Sequence, residues 1–278
     1  MRGRADGLHA EANDYVGAAA EAPPVKRTDQ YPLRLAATGL CFLIFGVACS
    51  LIGMVVMPLL RLLLEPRRSR STARTVVGAG LRFFVFLMRS LGILRYEFIG
   101  REKLGRPGQV IVANHPTLID VVFLVGFTPS VGCIVKADTF TNPITRGAAN
   151  AAGYIPNAPT EEMIYAAEAA LNEGETVLIF PEGTRTVPGK PMTLQRGAAN
   201  VALRAARVLT PVFIDCDPPT LSKNLPWYRI PPRRPHFRIR VGEDINLEAY
   251  RAAPLPRASR KLNDDLAGLF AEANPVRH

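Results

Sequence analysis

The chain is short of the residues from which metal centres and covalent nucleophiles are built. It has four cysteines, Cys41, Cys49, Cys133 and Cys216, and four histidines in 278 residues. No two cysteines stand at C-x-x-C spacing, which argues against structural zinc and for a reducing compartment. No G-x-S-x-G elbow is present, so a hydrolase-type serine nucleophile has no seat. No nucleic-acid module motif accompanies the net charge of +10, and nucleic acid is not an expected partner. Charge itself is missing from Leu35 to Leu60, a run of 26 residues. A bilayer core needs about 20 apolar residues in a helix, so the run is long enough to span with some tilt. It is too long for a signal-peptide core and comes after a long polar prefix.

The residues that are present divide the chain unevenly. Residues 1–30 are small, polar and charged, with Pro23-Pro24 near the end, and are expected to be disordered. Residues 31–94 read as a membrane-anchoring helix pair: the uncharged run, then an amphipathic helix from Val76 to Leu94 with Arg82 and Arg89 on one face. Such a second helix lies at the interface or packs on the first. Gly39, Gly46 and Gly53 recur every seven residues, a stripe that suits close packing of a second helix or is ordinary glycine enrichment. Between residues 61 and 106 eleven Lys or Arg face three Glu, a net of +8. A basic collar beside an apolar helix favours an anionic leaflet and places the domain beyond residue 94 on the cytoplasmic side of the inner membrane.

Residues 95–250 carry the remaining pattern, and 251–278 read as a C-terminal helix and tail. Apolar runs at 109–113, 131–136, 176–180 and 210–215 alternate with helical stretches near 117–127, 160–173 and 195–208. The alternation predicts an α/β fold, a mostly parallel sheet flanked by helices. His236–Val241 alternates with period two and reads as an edge strand with one wet face. In such sheets ligands bind beyond the carboxyl ends of the strands. Two polar motifs fall at such ends. The first is Asn114-His115-Pro116-Thr117-Leu118-Ile119-Asp120, in which Pro116 is expected in the first turn of a helix, His115 near its N-cap and Asp120 one turn on, reaching back to the imidazole. A histidine held by a carboxylate is a general-base arrangement, though the same spacing also serves a capping pair. Amides around Thr117 would offer positive potential to a developing oxyanion. The second motif is Phe180-Pro181-Glu182-Gly183-Thr184-Arg185.

Together with Thr210-Pro-Val-Phe-Ile214, these blocks resemble the glycerolipid (lysophospholipid) acyltransferase family, which carries a His-x4-Asp motif and a Phe-Pro-Glu-Gly-Thr-Arg motif. The resemblance covers roughly residues 95–245. It implies His115 and Asp120 as the catalytic pair, and Glu182, Gly183, Thr184 and Arg185 as the acceptor grip with Arg185 on phosphate. Lys136, at a strand end, is placed to meet an anion. Acyl-CoA or acyl carrier protein would be co-substrate and membrane lipids the partners, with no resident cofactor and no metal. Glu182 either contacts an acceptor hydroxyl or holds the loop. Relatives acting on lysophosphatidate usually end an intervening block with Gly-x-Ile/Phe-x-x-Arg, whereas this chain reads Gly153-Tyr-Ile-Pro-Asn157. That departure puts lysophosphatidate in doubt unless Lys136 or Arg146 compensates. The proline-rich Pro218–Pro235 segment, with Trp227, Tyr228 and three arginines, suits a headgroup-level contact, an acceptor lid or a rigid loop. The whole also looks similar to acyltransferase-like proteins of aryl-polyene lipid clusters. A hydrolase using the same base is the alternative reading.

Overall fold

The computed structural model describes residues 30–158, 161–187 and 192–273. The polar N-terminal segment 1–29 and Thr160, the expected opening of a helix, lie outside them. Helix α1 (Tyr31–Leu51) continues through a π-helical turn at Ile52–Val56 into α2 (Met57–Leu63), and α3 (Pro66–Ser90) returns alongside. Both Tyr31–Leu63 and Pro66–Ser90 are long and apolar enough to cross a membrane. Then come β1 (Arg95–Ile99), β2 (Gln109–Ala113), α4 (Asp120–Phe127), β3 (Gly132–Lys136), α5 (Asp138–Thr141) and α6 (Arg146–Ala151). They are succeeded by β4 (Ile155–Asn157), α7 (Glu161–Asn172), β5 (Val177–Ile179), α8 (Gly197–Ala205) and β6 (Val208–Asp217). The chain ends with β7 (His236–Val241), α9 (Glu248–Arg251) and α10 (Leu255–Ala273).

The seven strands form one sheet in the order β1-β7-β6-β2-β5-β3-β4, parallel throughout except where β7 runs against β6. Every residue of β2 is buried, because helices cover both faces at the centre of the sheet. On one face Ile111, Leu178 and Phe237 pack with Phe123 and Leu124 of α4 and Val85 of α3. On the other, Val110 and Val177 meet Leu171, Val201 and the Leu262–Leu266–Phe270 stripe of α10. Each such large apolar side chain contributes about 1.5–3 kcal/mol by leaving water. The core therefore runs without a seam from α3 to α10.

The α/β sheet and its four central strands match the expectation. His236–Val241 alternates in burial as expected but is interior, paired with β1 in parallel and with β6 antiparallel. The edge is β1, a short strand the sequence pattern did not announce. The amphipathic helix begins at Pro66 rather than Val76 and ends at Ser90. Its arginines are exposed but reach back to the protein: Arg82 Nη1 donates to the Gly126 carbonyl at 2.8 Å, and Arg89 lies 5.4 Å from the Tyr96 ring centre. Phe83 and Phe86 are the exposed side.

Part of the basic collar is paired within the protein. Arg74 is buried and donates to Glu175 at 2.8 Å and to the Ala152 carbonyl at 2.8 Å, while Arg106 and Lys103 pair with Asp244 and Glu243. The glycine stripe does not form one seam either. Gly39 faces Trp227, Gly46 faces open space, and Gly53 faces the backbone of Gly147 in α6, where an added Cβ would lie 3.4 Å from the Gly147 Cα. Arg34, at the start of α1, is 4% exposed and donates to the carbonyls of Pro231, Pro232 and Arg233. A buried guanidinium needs such acceptors, and three carbonyls of the Pro218–Pro235 segment supply them.

Candidate active site

Strands β2 and β5 are neighbours, so the loops leaving their carboxyl ends meet. The first of these does not enter its helix at Pro116. Residues 114–119 form a tight irregular turn, and α4 starts at Asp120. His115 is therefore not an N-cap. Asp120 nonetheless reaches back: its Oδ2 lies 2.9 Å from His115 Nδ1 and accepts from the Thr117 amide at 2.6 Å, while Oδ1 accepts from the Thr117 hydroxyl at 2.6 Å. The Thr117 amide is thus committed to Asp120, and the expected oxyanion role for it does not hold. Asp120 is fully buried, and burial pushes its carboxyl above the usual range while the His115 and Thr117 hydrogen bonds pull it back.

The second loop clasps the first. Glu182 Oε1 accepts from the His115 amide at 3.0 Å and from the Thr186 hydroxyl at 2.7 Å. The Thr186 amide donates to the His115 carbonyl at 2.7 Å. His115 is therefore held at its amide, its carbonyl and its Nδ1, and its ring stacks on Phe180 with centres 4.3 Å apart. Its side chain is 18% exposed. Burial raises the Glu182 carboxyl above its ordinary range, with the two hydrogen bonds opposing.

A cavity of about 830 Å³ opens in front of the histidine. His115, Lys136, Gly183, Thr184 and Arg185 line it, while Asp120 and Glu182 stand behind, out of its wall. Glu182, 7% exposed, is occupied in holding the loop. Gly183 has φ +66°, and a Cβ there would fall 2.6 Å from Gln195 Nε2, so the turn requires glycine. Arg185 Nη1 donates to the carbonyls of Leu221 and Ser222 at 2.9 and 3.0 Å, tying the Pro218–Pro235 segment over the site. Lys136 is exposed and paired with Asp138. Asn157 lines the cavity beside Lys136, whereas Arg146 does not line it.

Three contributors escaped the sequence reading. Asn114 Nδ2 donates to the Ile214 carbonyl and its Oδ1 accepts the Ile214 amide, both at 2.7 Å, so a side chain continues the β2–β6 ladder past its end. Arg196 and Lys223 both line the cavity. The only sequence signal for Arg196 was its place immediately before a small-residue helix, Gly197-Ala-Ala-Asn200.

Known proteins resemble this chain in sequence and in fold. Residues 95–215 match the Acyltransferase family model. A 1-acyl-sn-glycerol-3-phosphate acyltransferase of Pseudomonas aeruginosa is 28% identical over 149 residues, 51% of this chain and 58% of that protein. A Chlamydomonas reinhardtii protein of the same name is 31% identical over 43% of this chain and 38% of its own length. The matched stretch is thus less than two thirds of either relative. The crystal structure of the 1-acyl-sn-glycerophosphate (LPA) acyltransferase PlsC from Thermotoga maritima shares the fold, with a TM-score of 0.69 and 17% identity over 86% of this chain and 95% of that one. Residues 95–215 thus resemble the acyltransferase family, and the chain shares the fold of the Thermotoga maritima enzyme.

Proposed function

We propose that the protein is a membrane-bound O-acyltransferase. It moves a fatty acyl group from an acyl-CoA or acyl-carrier-protein thioester to the hydroxyl of a lysophospholipid-like acceptor. The observation that carries this reading is His115, fixed at Nδ1 by a buried carboxylate and standing in the wall of the cavity with Nε2 unbonded among the described residues. Holding the proton on Nδ1 leaves Nε2 as a base. The acceptor hydroxyl gives its proton to Nε2 as its oxygen bonds to the thioester carbonyl carbon. The C–S bond then breaks, and the imidazolium returns the proton to the departing thiolate. Asp120 keeps the ring oriented and stabilises the imidazolium. Arg185, Gly183, Thr184 and Lys136 line the acceptor side, with Arg185 keeping Nε and Nη2 for an anion.

The helix pair supports membrane binding in one leaflet of the cytoplasmic membrane. Arg34 and Met57 are both buried against the rest of the protein. The 23 residues between them reach roughly 35 Å along a helix, more than the roughly 30 Å of a hydrocarbon core. A helix attached over that length does not cross a bilayer without taking the sheet with it. Its outer face, with Leu43, Val47, Leu51 and Leu62 exposed, is suited to lipid.

The test is thioester consumption by the full chain with oleoyl-CoA, with and without 1-oleoylglycerol 3-phosphate. Turnover that depends on the acceptor is expected, and equal turnover without it refutes transfer in favour of hydrolysis. Replacing His115 by Ala should lower kcat by about 10²–10⁴-fold. Asp120→Asn should lower it through the wrong tautomer. A His115→Ala enzyme within threefold of the parent refutes the base.

A further inference from the structure

We infer that Arg196 and Lys223 form the phosphate subsite of this cavity, replacing the arginine that Asn157 lacks. The inference rests on the acyl-transfer reading for its ligand, the phosphomonoester of the acceptor, but not for the existence of the subsite. Five charged side chains line the cavity: Lys136, Glu161, Arg185, Arg196 and Lys223. Lys136 is paired with Asp138, and Arg185 Nη1 is bound to two carbonyls. Arg196 and Lys223 have no ion pair or side-chain hydrogen bond among the described residues, and Glu161 is the one acid in the wall. Two unpaired cations lining one cavity, Arg196 exposed and Lys223 half-buried, give it a positive wall that favours an anion.

Both are held where such an anion would sit. Arg196 comes directly after Gln195, whose amide donates to the Pro181 carbonyl at 2.8 Å and whose side chain abuts Gly183. It immediately precedes α8, so the leading residues Gly197 and Ala198 line the same wall and add the positive end of that helix. Lys223 comes directly after Leu221 and Ser222, whose carbonyls hold Arg185. Each cation is therefore one or two residues from a contact with the Phe180–Arg185 loop, Arg196 through Gln195 and Lys223 through Leu221 and Ser222. Asn157 is neutral and pairs across from Lys136 where β4 lies beside β3.

The experiment compares the full-length protein in detergent with R196A, K223A, the double variant and R196K. Acceptors are 1-oleoylglycerol 3-phosphate and 1-oleoylglycerol; donors are oleoyl-CoA and the phosphate-free thioester S-oleoyl-N-acetylcysteamine. Each alanine should raise KM for the phosphate-bearing acceptor about tenfold, the size of one lost charge-assisted hydrogen bond. The rise should exceed any change in kcat, be absent with 1-oleoylglycerol, be the same with either donor, and be partly reversed in R196K. A rise in KM for oleoyl-CoA alone would assign the cations to the donor's phosphates and overturn the inference, as would no change in any KM. A second readout needs no turnover: sn-glycerol 3-phosphate should raise the unfolding temperature of the parent and not of the double variant. Absence of that shift in the parent overturns the subsite. The shift without acyl transfer to either acceptor would instead refute the acyltransferase reading and leave the subsite standing.

Discussion

Glu182 separates a carboxylate that touches substrate from one that builds the site. In the structure its Oε1 takes two donors, the His115 amide and the Thr186 hydroxyl, and the side chain lies outside the cavity wall. Glu182→Ala leaves both donors without an acceptor in a buried place, at about 1–3 kcal/mol each, so roughly 2–5 kcal/mol of stability. For a chain of this size that is a fall of roughly 5–15 °C in unfolding temperature. Glu182→Gln keeps a carbonyl oxygen at Oε1 and should cost under about 1 kcal/mol, with transfer activity within a few-fold of the parent. The pH dependence is set by the direction of the shift. Burial holds the folded carboxyl above its unfolded value, so its contribution to stability is complete below the ordinary carboxylate range and is lost as pH rises through the raised value. Glu182→Gln should therefore flatten the stability profile between acidic and neutral pH. The assay pairs unfolding curves across that range with steady-state acyl transfer. If Glu182→Gln matched the parent in stability but lost transfer a hundredfold, the charge would be acting on the substrate, and the holding role would be wrong.

The geometry sets three other outcomes. Asn114→Ala strips two hydrogen bonds from the Ile214 backbone in a buried position and should lower stability by about 2–4 kcal/mol, read from the denaturant midpoint; an unchanged midpoint refutes the ladder role. Gly147→Ala would place a Cβ 2.5 Å from the Gly53 carbonyl oxygen, backbone against backbone. It should cost about 1–3 kcal/mol and loosen the helix pair, seen as faster proteolysis between α2 and α3. Gly46→Ala, with nothing within 4 Å, should instead stabilise by up to about 1 kcal/mol, and a destabilised variant would contradict the open space seen there.

The His115–Asp120 pair was legible because its geometry is local: five residues of chain bring the two side chains together whether the turn is helical or not. The start of α4 was misplaced because Asp120 takes the Thr117 amide and hydroxyl into a turn of its own, which outweighs the preference of Pro116 for a helical first turn. The strand order was not legible at β7. Its alternation describes one covered face, but its neighbours are decided by where the chain returns after the Pro218–Pro235 segment, and β1 has too little apolar surface to signal an edge strand. The two readings of Glu182, acceptor contact or loop holder, could not be separated because nothing in Phe180–Arg185 reveals that its acceptor oxygen faces the His115 amide from 67 residues away. The pairings of Arg74, Lys103 and Arg106 were not legible for a related reason: their carboxylate partners lie far along the chain.

The contact between Arg34 and the carbonyls of residues 231–233 makes α1 something other than an exchangeable anchor. The segment it holds is bound at its other end by Arg185 and, through the Leu221 carbonyl, by the Leu118 amide. A foreign apolar helix of equal length would supply affinity for lipid but neither the buried guanidinium nor the bare backbone at Gly53. In a chimaera of that kind the protein would still reach the bilayer, while the roof over His115 would lose its tether. The apolar outer face and the tether of the segment over His115 belong, in this chain, to the same helix.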